Sequence, residues 1–292
     1  MSNLKILITG ANGQLGNEFR SLATRYHNDS FIFLSRQELS IDDAGNVQQV
    51  LRQHNPDWVV NCAAYTAVDK AETEKEQAMA INAEGAGILA SVCTELGAKF
   101  IHISTDYVFD GSSADPYNED AATSPINTYG HTKLRGEQLV LQNNPDAIII
   151  RTSWVYSYFG NNFVKTMMRL MKERESINVV SDQVGSPTYA ADLASAIMHI
   201  IHSPNAKKAS GIFHYSNEGR ISWYEFAQAI KELIGSNCCV NPIPSSQYPT
   251  PARRPQYSLL DKSRIRGAFD LEIPDWRKSL EICIVRLKTT AS

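Results

Sequence analysis

The stretch LKILIT, residues 4–9, runs without a break into GANGQLG, residues 10–16, and no other feature constrains the fold of this chain as tightly. The apolar run has the length and residue types of a buried strand, and the segment from Gln14 to Tyr26 that follows has helical period. A glycine-rich turn between strand and helix lets the backbone come close to a pyrophosphate, whose charge is stabilised by the helix N-terminus. Gly10, Gly13 and Gly16, together with Asn12, Gln14 and Leu15, are therefore expected to bind a dinucleotide.

The same rhythm continues for another 140 or so residues. Further apolar runs are FIFL (31–34), DWVVNCA (57–63), KFIHIST (99–105) and AIIIRTS (147–153), separated by Ala44 to His54, Glu74 to Leu96 and Tyr129 to Asn143. Each spacer is long enough for a crossover helix, and strands this rich in β-branched residues are covered on both faces. An α/β fold is predicted, with a Rossmann-like, doubly wound parallel sheet over residues 1–155 and residues 189–217 packing back on it. Beyond 155 the alternation loosens. Segments 162–173, 189–201 and 222–234 read as amphipathic helices, whereas 241–255 (NPIPSSQYPTPARRP) is too irregular for a core element and suits a binding loop or lid. Residues 156–188 and 218–292 are expected to form a smaller, partly discontinuous α/β substrate domain.

Composition narrows the partners. A chain of 292 residues with 43% hydrophobic residues, 20% charged residues and a net charge of −3 is ordinary for a globular protein. It lacks the basic excess of a nucleic-acid or acidic-membrane binder, so neither partner is expected and any anionic ligand must be held by local groups. The five cysteines are odd in number and show no metal or redox spacing, which favours reduced thiols in a cytoplasmic protein. No apolar stretch reaches the ~20 residues of a membrane span. Leu4 to Thr9 reads as a core strand rather than a signal peptide. His199 and His202 lack companions that would complete a metal site, and none is expected.

In open α/β sheets, ligands gather at the carboxyl ends of strands. After the second strand come Ser35 and Arg36, where an acidic residue would bond the ribose 2′-hydroxyl of NAD. A guanidinium suits a 2′-phosphate better, which favours NADPH and leaves NADH possible because Glu38 is close by. Asn61-Cys62-Ala63-Ala64 supplies small side chains beside which a flat cofactor can lie. Ser104-Thr105-Asp106-Tyr107 and Arg151-Thr152-Ser153-Trp154 are polar strand ends that serve either as ligand sites or as simple caps.

YGHTK, residues 129–133, places Tyr129 and Lys133 a little over one helical turn apart, able to point at one object or to sit as unrelated residues on a wet face. An ammonium ~5 Å from a phenol, at an effective dielectric of about 20, favours phenolate by roughly 3 kcal/mol, about two pKa units.

A glycine turn near the amino terminus, a Ser/Thr at a strand end and Tyr129-x-x-x-Lys133 at the head of the next helix together resemble the extended short-chain dehydrogenase/reductase superfamily. GANGQLGNE, NCAAYTAVDKAE (61–72), INA (81–83), HISTDYVFDG (102–111), SPINTYGHTKLRGE (124–137), RTSWVY (151–156), NNFVKTM (161–167), SDQVGSPT (181–188) and YPTPARRP (248–255) resemble the dTDP-4-dehydrorhamnose reductase family over nearly the whole chain. The resemblance implies hydride transfer from NADPH to the C4 ketone of dTDP-4-dehydro-β-L-rhamnose, a dTDP-sugar. It implies that Tyr129 protonates the C4 oxygen, that Lys133 lowers the tyrosine pKa and bonds the nicotinamide ribose, and that Thr105 hydrogen-bonds the same oxygen.

The same resemblance implies a cofactor site that takes in Ser40, Ile41, Cys62, Ala63, Ala64 and Tyr65. It puts Asp106, Tyr107 and Trp154 around the sugar, and Arg254, with Arg253, on the diphosphate. One departure concerns Ser40-Ile41, because family members commonly have an acidic residue followed by an apolar one there. Some members hold a divalent ion at a dimer contact. This chain shows no secure ligand set for one, so magnesium dependence stays open, as does the choice between monomer and homodimer. A dehydratase of the superfamily would need a second carboxylate after Thr105-Asp106, where this chain has Tyr107. A non-catalytic regulatory relative would be expected to have lost the Tyr/Lys/Thr set, which is intact here.

Overall fold

The computed structural model describes residues 3–289. The first half of the chain forms β1 (Lys5–Thr9), α1 (Gln14–Ala23), β2 (Ser30–Leu34), α2 (Ala44–His54), β3 (Trp58–Asn61), α3 (Val68–Ala71), α4 (Lys75–Met79), α5 (Ala86–Leu96), β4 (Lys99–Thr105), α6 (Thr128–Asn143) and β5 (Ile148–Thr152). The remainder forms β6 (Val155–Tyr156), α7 (Phe163–Glu173), β7 (Ser176–Val180), β8 (Val184–Gly185), β9 (Thr188–Tyr189), α8 (Ala190–His202), β10 (Gly211–His214), β11 (Ile221–Ser222), α9 (Trp223–Ile234), β12 (Cys239–Ile243), α10 (Ser263–Phe269) and α11 (Trp276–Thr289).

Six strands make one sheet in the order β10-β5-β4-β3-β1-β2, with every pairing parallel. Side chains alternate faces along a strand, so Ile6 and Ile8 enter one core and Leu7 the other. On the first face Phe19 of α1 and Leu193, Ile197 and Ile200 of α8 cover the sheet. On the second, Leu51 of α2, Leu89 and Ala90 of α5 and Val140 of α6 do so. This two-sided cover is why the strands read as nearly unbroken apolar runs. The chain leaves β1 towards β2 on one side and returns to β3 on the other. The loops after β1 and β3 therefore diverge and open a crevice at the switch point.

A second core lies between α7, α9, α11 and the parallel pair β7/β12, filled by Val164, Met167, Ile177, Phe226, Ile230, Val240, Leu280 and Ile284. Two expectations change here. Residues 241–243 are not loop but the end of β12, which pairs with β7 in the register Asn241↔Asn178 to Ile243↔Val180. Pro242 is tolerated because each strand of this two-stranded sheet has a free edge.

The single helix expected from Glu74 to Leu96 is instead α4, a π-helical turn over Ala80–Gly85, and α5. The wide turn lets the Asn82 side chain leave the helix, where it accepts from the Tyr65 amide at 2.8 Å and donates to the Tyr65 carbonyl and to the Thr132 hydroxyl, each at 3.0 Å. α6 presses on this turn so closely that a Cβ on Gly136 would lie 2.1 Å from the Asn82 carbonyl oxygen. The short strand β10 and helices α10 and α11 fall outside the segments whose periodicity announces them.

Candidate active site

A cleft of about 1070 Å³ runs along the carboxyl ends of β1, β3 and β4. Its first wall is the glycine turn. Gly10 has φ of +62°, and a Cβ there would fall 2.7 Å from the Ala63 nitrogen, so only glycine lets the turn after β1 lie against the turn after β3. Gly13 caps α1 and donates its amide to the Gly10 carbonyl at 2.9 Å. Gly10, Asn12, Gly13, Gln14 and Leu15 line the cleft, whereas Gly16 stands behind it. A Cβ at Gly16 would meet Ala11 Cα and the Gly10 oxygen at 2.6 Å, so its part is to let the helix approach the turn.

At the far end of this wall Arg36, Ser40, Ile41 and Asp42 face the cleft. Glu38 turns away from it and accepts from the Ser35 amide at 2.8 Å, a bond that holds its carboxyl below the usual range. The guanidinium of Arg36 is therefore the positive charge offered beyond β2. Ser40 donates to Asp42 Oδ1 at 2.5 Å, so a carboxylate does stand at this end, two residues later than the family pattern has it. Ile41 is buried, and a Cβ on Gly85 would come within 2.9 Å of its side chain.

The floor is Cys62, Ala63, Ala64 and Tyr65, whose hydroxyl donates to Glu74 at 2.6 Å. An uncrowded backbone turn at the start of a ten-residue helix, flanked by small side chains and an exposed arginine, fits a dinucleotide with a 2′-phosphate.

Thr105, Asp106 and Tyr107 follow β4 and meet α6 across the cleft. The head of α6 is fixed twice. The Asn127 side chain accepts from the Gly130 amide at 2.8 Å, and Glu72 accepts from the Thr128 amide and hydroxyl at 2.8 and 2.9 Å. Glycine is required at 130, since a Cβ would lie 2.2 Å from the Tyr107 carbonyl oxygen. Tyr129 thereby stands edge-on to Tyr107 with ring centroids 5.5 Å apart.

The electrostatics differ from the simple Tyr–Lys pair. Lys133 is buried, and its Nζ donates to the Ile103 carbonyl at 2.6 Å and lies 3.3 Å from His102 Nε2. Burial lowers its pKa to about 8, with Glu137 pulling the other way. Burial pushes Tyr129 up to about 12, the Thr105 hydroxyl opposes this and Asp106 adds to it. Removal from water thus dominates, and Lys133 is not among the groups that shift the phenol. Asp106 is raised by burial to about 6, although the hydroxyls of Ser258 and Thr105 pull it down.

Trp154 also lines the cleft, with φ of +48° and one face stacked on Trp223 at 3.7 Å. Arg254 does not line it. It sits beside a neighbouring cavity of about 480 Å³ with Arg253, Gln183 and Tyr248, and forks onto Asp69 at 2.9 and 3.1 Å. Residues that the sequence reading passed over are Asn82, Asn127, Glu72, Asp69 and His102. Only the loop-then-helix position of Asn127 carried a local signal, that of an N-cap. Among the described residues no group of three or more His, Cys, Asp or Glu side chains could hold a metal ion, and no helix is long and apolar enough to cross a membrane.

The sequence matches the family described as RmlD substrate binding domain over residues 4–289. It is 40% identical to dTDP-4-dehydrorhamnose reductase of Burkholderia thailandensis, over 96% of this chain and 98% of the relative. It is also 40% identical to the enzyme of the same name from Escherichia coli K12, over 99% of this chain and 100% of the relative. A crystal structure of dTDP-4-dehydrorhamnose reductase from Bacillus anthracis in complex with NADP superposes with a TM-score of 0.93 at 41% identity, covering 97% of this chain and 99% of that one.

Proposed function

The chain belongs to the RmlD substrate binding domain family, and from that premise we propose that it reduces the C4 ketone of dTDP-4-dehydro-β-L-rhamnose to dTDP-β-L-rhamnose with NADPH. The observation that carries this reading is the meeting of Thr105, Tyr129 and Lys133 in the same cleft as the glycine turn after β1. When bound, the reduced nicotinamide supplies a hydride to the carbonyl carbon.

Tyr129 gives its proton to the oxygen, which becomes strongly basic as the carbon is reduced. With a pKa of about 12 the phenol is loaded with its proton throughout the physiological range, which is what a reductase asks of its acid. Thr105 holds the same oxygen through its hydroxyl and so orients the carbonyl. Lys133 bonds the nicotinamide ribose from behind Tyr129. Gly10, Asn12, Gly13, Gln14 and Leu15 hold the pyrophosphate, and Arg36 favours the phosphorylated cofactor over NADH. Asp106, Tyr107 and the free side of Trp154 receive the sugar. Arg254 meets the diphosphate by exchanging its fork on Asp69 for phosphate oxygens.

The test is a stopped-flow or absorbance assay of NADPH oxidation with the 4-keto nucleotide sugar. Wild type oxidises one cofactor per ketone. Tyr129→Phe loses roughly 10²-fold or more of turnover while its cofactor Kd is unchanged. Near-normal turnover in that variant overturns the assignment of the acid.

A further inference from the structure

A buried polar chain runs behind the cleft from β1 to α6. The Thr9 hydroxyl donates to Asn61 Oδ1 at 2.7 Å, and the same oxygen accepts from the Ala63 amide at 3.1 Å. Asn61 Nδ2 lies 3.0 Å from His102 Nδ1, and His102 Nε2 lies 3.3 Å from Lys133 Nζ. None of these four side-chain-bearing residues is more than 2% exposed.

The direction of each bond follows from the first. A backbone amide can only donate: the Ala63 N–H is shared between Asn61 Oδ1 and the Thr9 hydroxyl oxygen at 3.2 Å, which leaves the hydroxyl proton for the same Asn61 oxygen and turns the amide nitrogen towards His102. His102 Nδ1 must then accept. Burial, the largest cause, keeps the imidazole pKa well below its usual value, so the ring is neutral and its one proton sits on Nε2. That N–H points at the lysine nitrogen. An ammonium there would set hydrogen against hydrogen, whereas an amine accepts through its lone pair and still donates to the Ile103 carbonyl.

We propose that His102 is a positioning residue for Lys133: Asn61 locks its ring in the Nε2–H tautomer, and this N–H disfavours the ammonium form, so that the lysine passes readily between ammonium and amine. The other titratable neighbours do not reverse the choice. Glu137, one turn further along α6, favours the ammonium, but it is held by Arg151 of β5 at 2.9 and 2.7 Å and by Ser104 of β4 at 2.5 Å, and its pull on Lys133 is smaller than that of burial. Tyr129 on the same helix is a neutral phenol at working pH, and Asp106 and Tyr107 line the cleft from the turn after β4. The catalytic consequence rests on the reductase reading. Each turnover takes the proton of Tyr129, and a lysine that passes between ammonium and amine near neutrality gives one proton to the phenolate and takes one back from solvent. A permanent cation cannot do this.

The test separates the tautomer from turnover. In the full chain labelled with ¹⁵N-histidine, the ring missing from His102→Phe shows the neutral Nε2–H pattern and does not titrate between about pH 5 and 9. With ¹³Cε-lysine, the resonance missing from Lys133→Arg titrates near 8, where burial places it.

In Asn61→Asp the carboxylate accepts from Thr9, from the Ala63 amide and from a proton now on Nδ1. The ring reverses, and the Lys133 titration and the matching limb of the kcat profile both rise by about one pH unit or more. His102→Phe, which removes the N–H without adding charge, moves both in the same direction. A wild-type ring protonated on Nδ1, a ring that titrates, or a lysine titration unmoved in both variants overturns the proposal. These resonances are read without substrate, so a failure to reduce the 4-keto sugar would count against the proposed reaction and leave the tautomer result standing.

Discussion

The cleft and the cavity beside it are built by different means. At the β1/β3 end the wall is backbone, made within one short turn, and side chains matter there mainly by being absent: Gly10, Gly13, Ala63 and Ala64. At the neighbouring cavity the groups are long side chains from distant segments. Asp69 and Arg254 are 185 positions apart in sequence and form an ion pair that is 40% and 26% exposed at its two side chains. A site of fixed amides is set once the sheet forms. A site of forked side chains has a resting partner, and a ligand must displace it. One site is preformed and the other is exchangeable.

The largest test of this contrast is Gly10→Val. A β-branched residue at φ +62° with its Cβ 2.7 Å from the Ala63 nitrogen forces β1 and β3 apart. Loss of dinucleotide binding is expected, with destabilisation of roughly 3 kcal/mol in urea unfolding. Retained binding would mean the turn is not rigid.

Arg36→Ala should weaken NADPH by roughly 10- to 100-fold and leave NADH nearly unchanged, as titrations of cofactor fluorescence would show. Equal losses for both would deny it the 2′-phosphate.

At the exchangeable site, Arg254→Ala should raise the KM for the nucleotide sugar by roughly 10-fold or more, whereas Asp69→Ala, which frees the arginine, should leave KM equal or lower. Matching losses in the two variants would make the pair structural only.

A test by pH concerns Asp106, whose folded pKa of about 6 lies above its ordinary 3.8. Well below pH 4 both states are protonated. As the pH rises from there to 6, the unfolded chain releases its proton before the folded one does, so stability falls with pH and the penalty is complete above 6. Asp106→Asn should flatten this decline and gain on the order of 2 kcal/mol at pH 7 relative to pH 4.

Much of this was legible because the signals were local. The glycine turn, the five apolar runs and the Tyr129/Lys133 spacing each lie within a few residues, and their periods translate directly into strands, turns and a helix head. Breaks came where a distant neighbour decided. The 74–96 helix carries a π-turn because Asn82 bonds Tyr65 and Thr132 across the fold. Pro242 sits in a strand because β12 is paired on one side only, by β7. The Tyr129–Lys133 arithmetic assumed an intermediate dielectric and a free ammonium, and burial beside Ile103 and His102 changed both terms.

By itself, then, the sequence determined the parallel sheet, the glycine turn and the residue types proposed to react, because strand period and glycine sterics act over one or two turns of chain. Tertiary structure alone decided which donor faces which acceptor: Arg254 on Asp69, Asn127 on Gly130, His102 against Lys133. Those choices depend on desolvation and on bond directions that exist only once segments far apart in sequence have been pressed together.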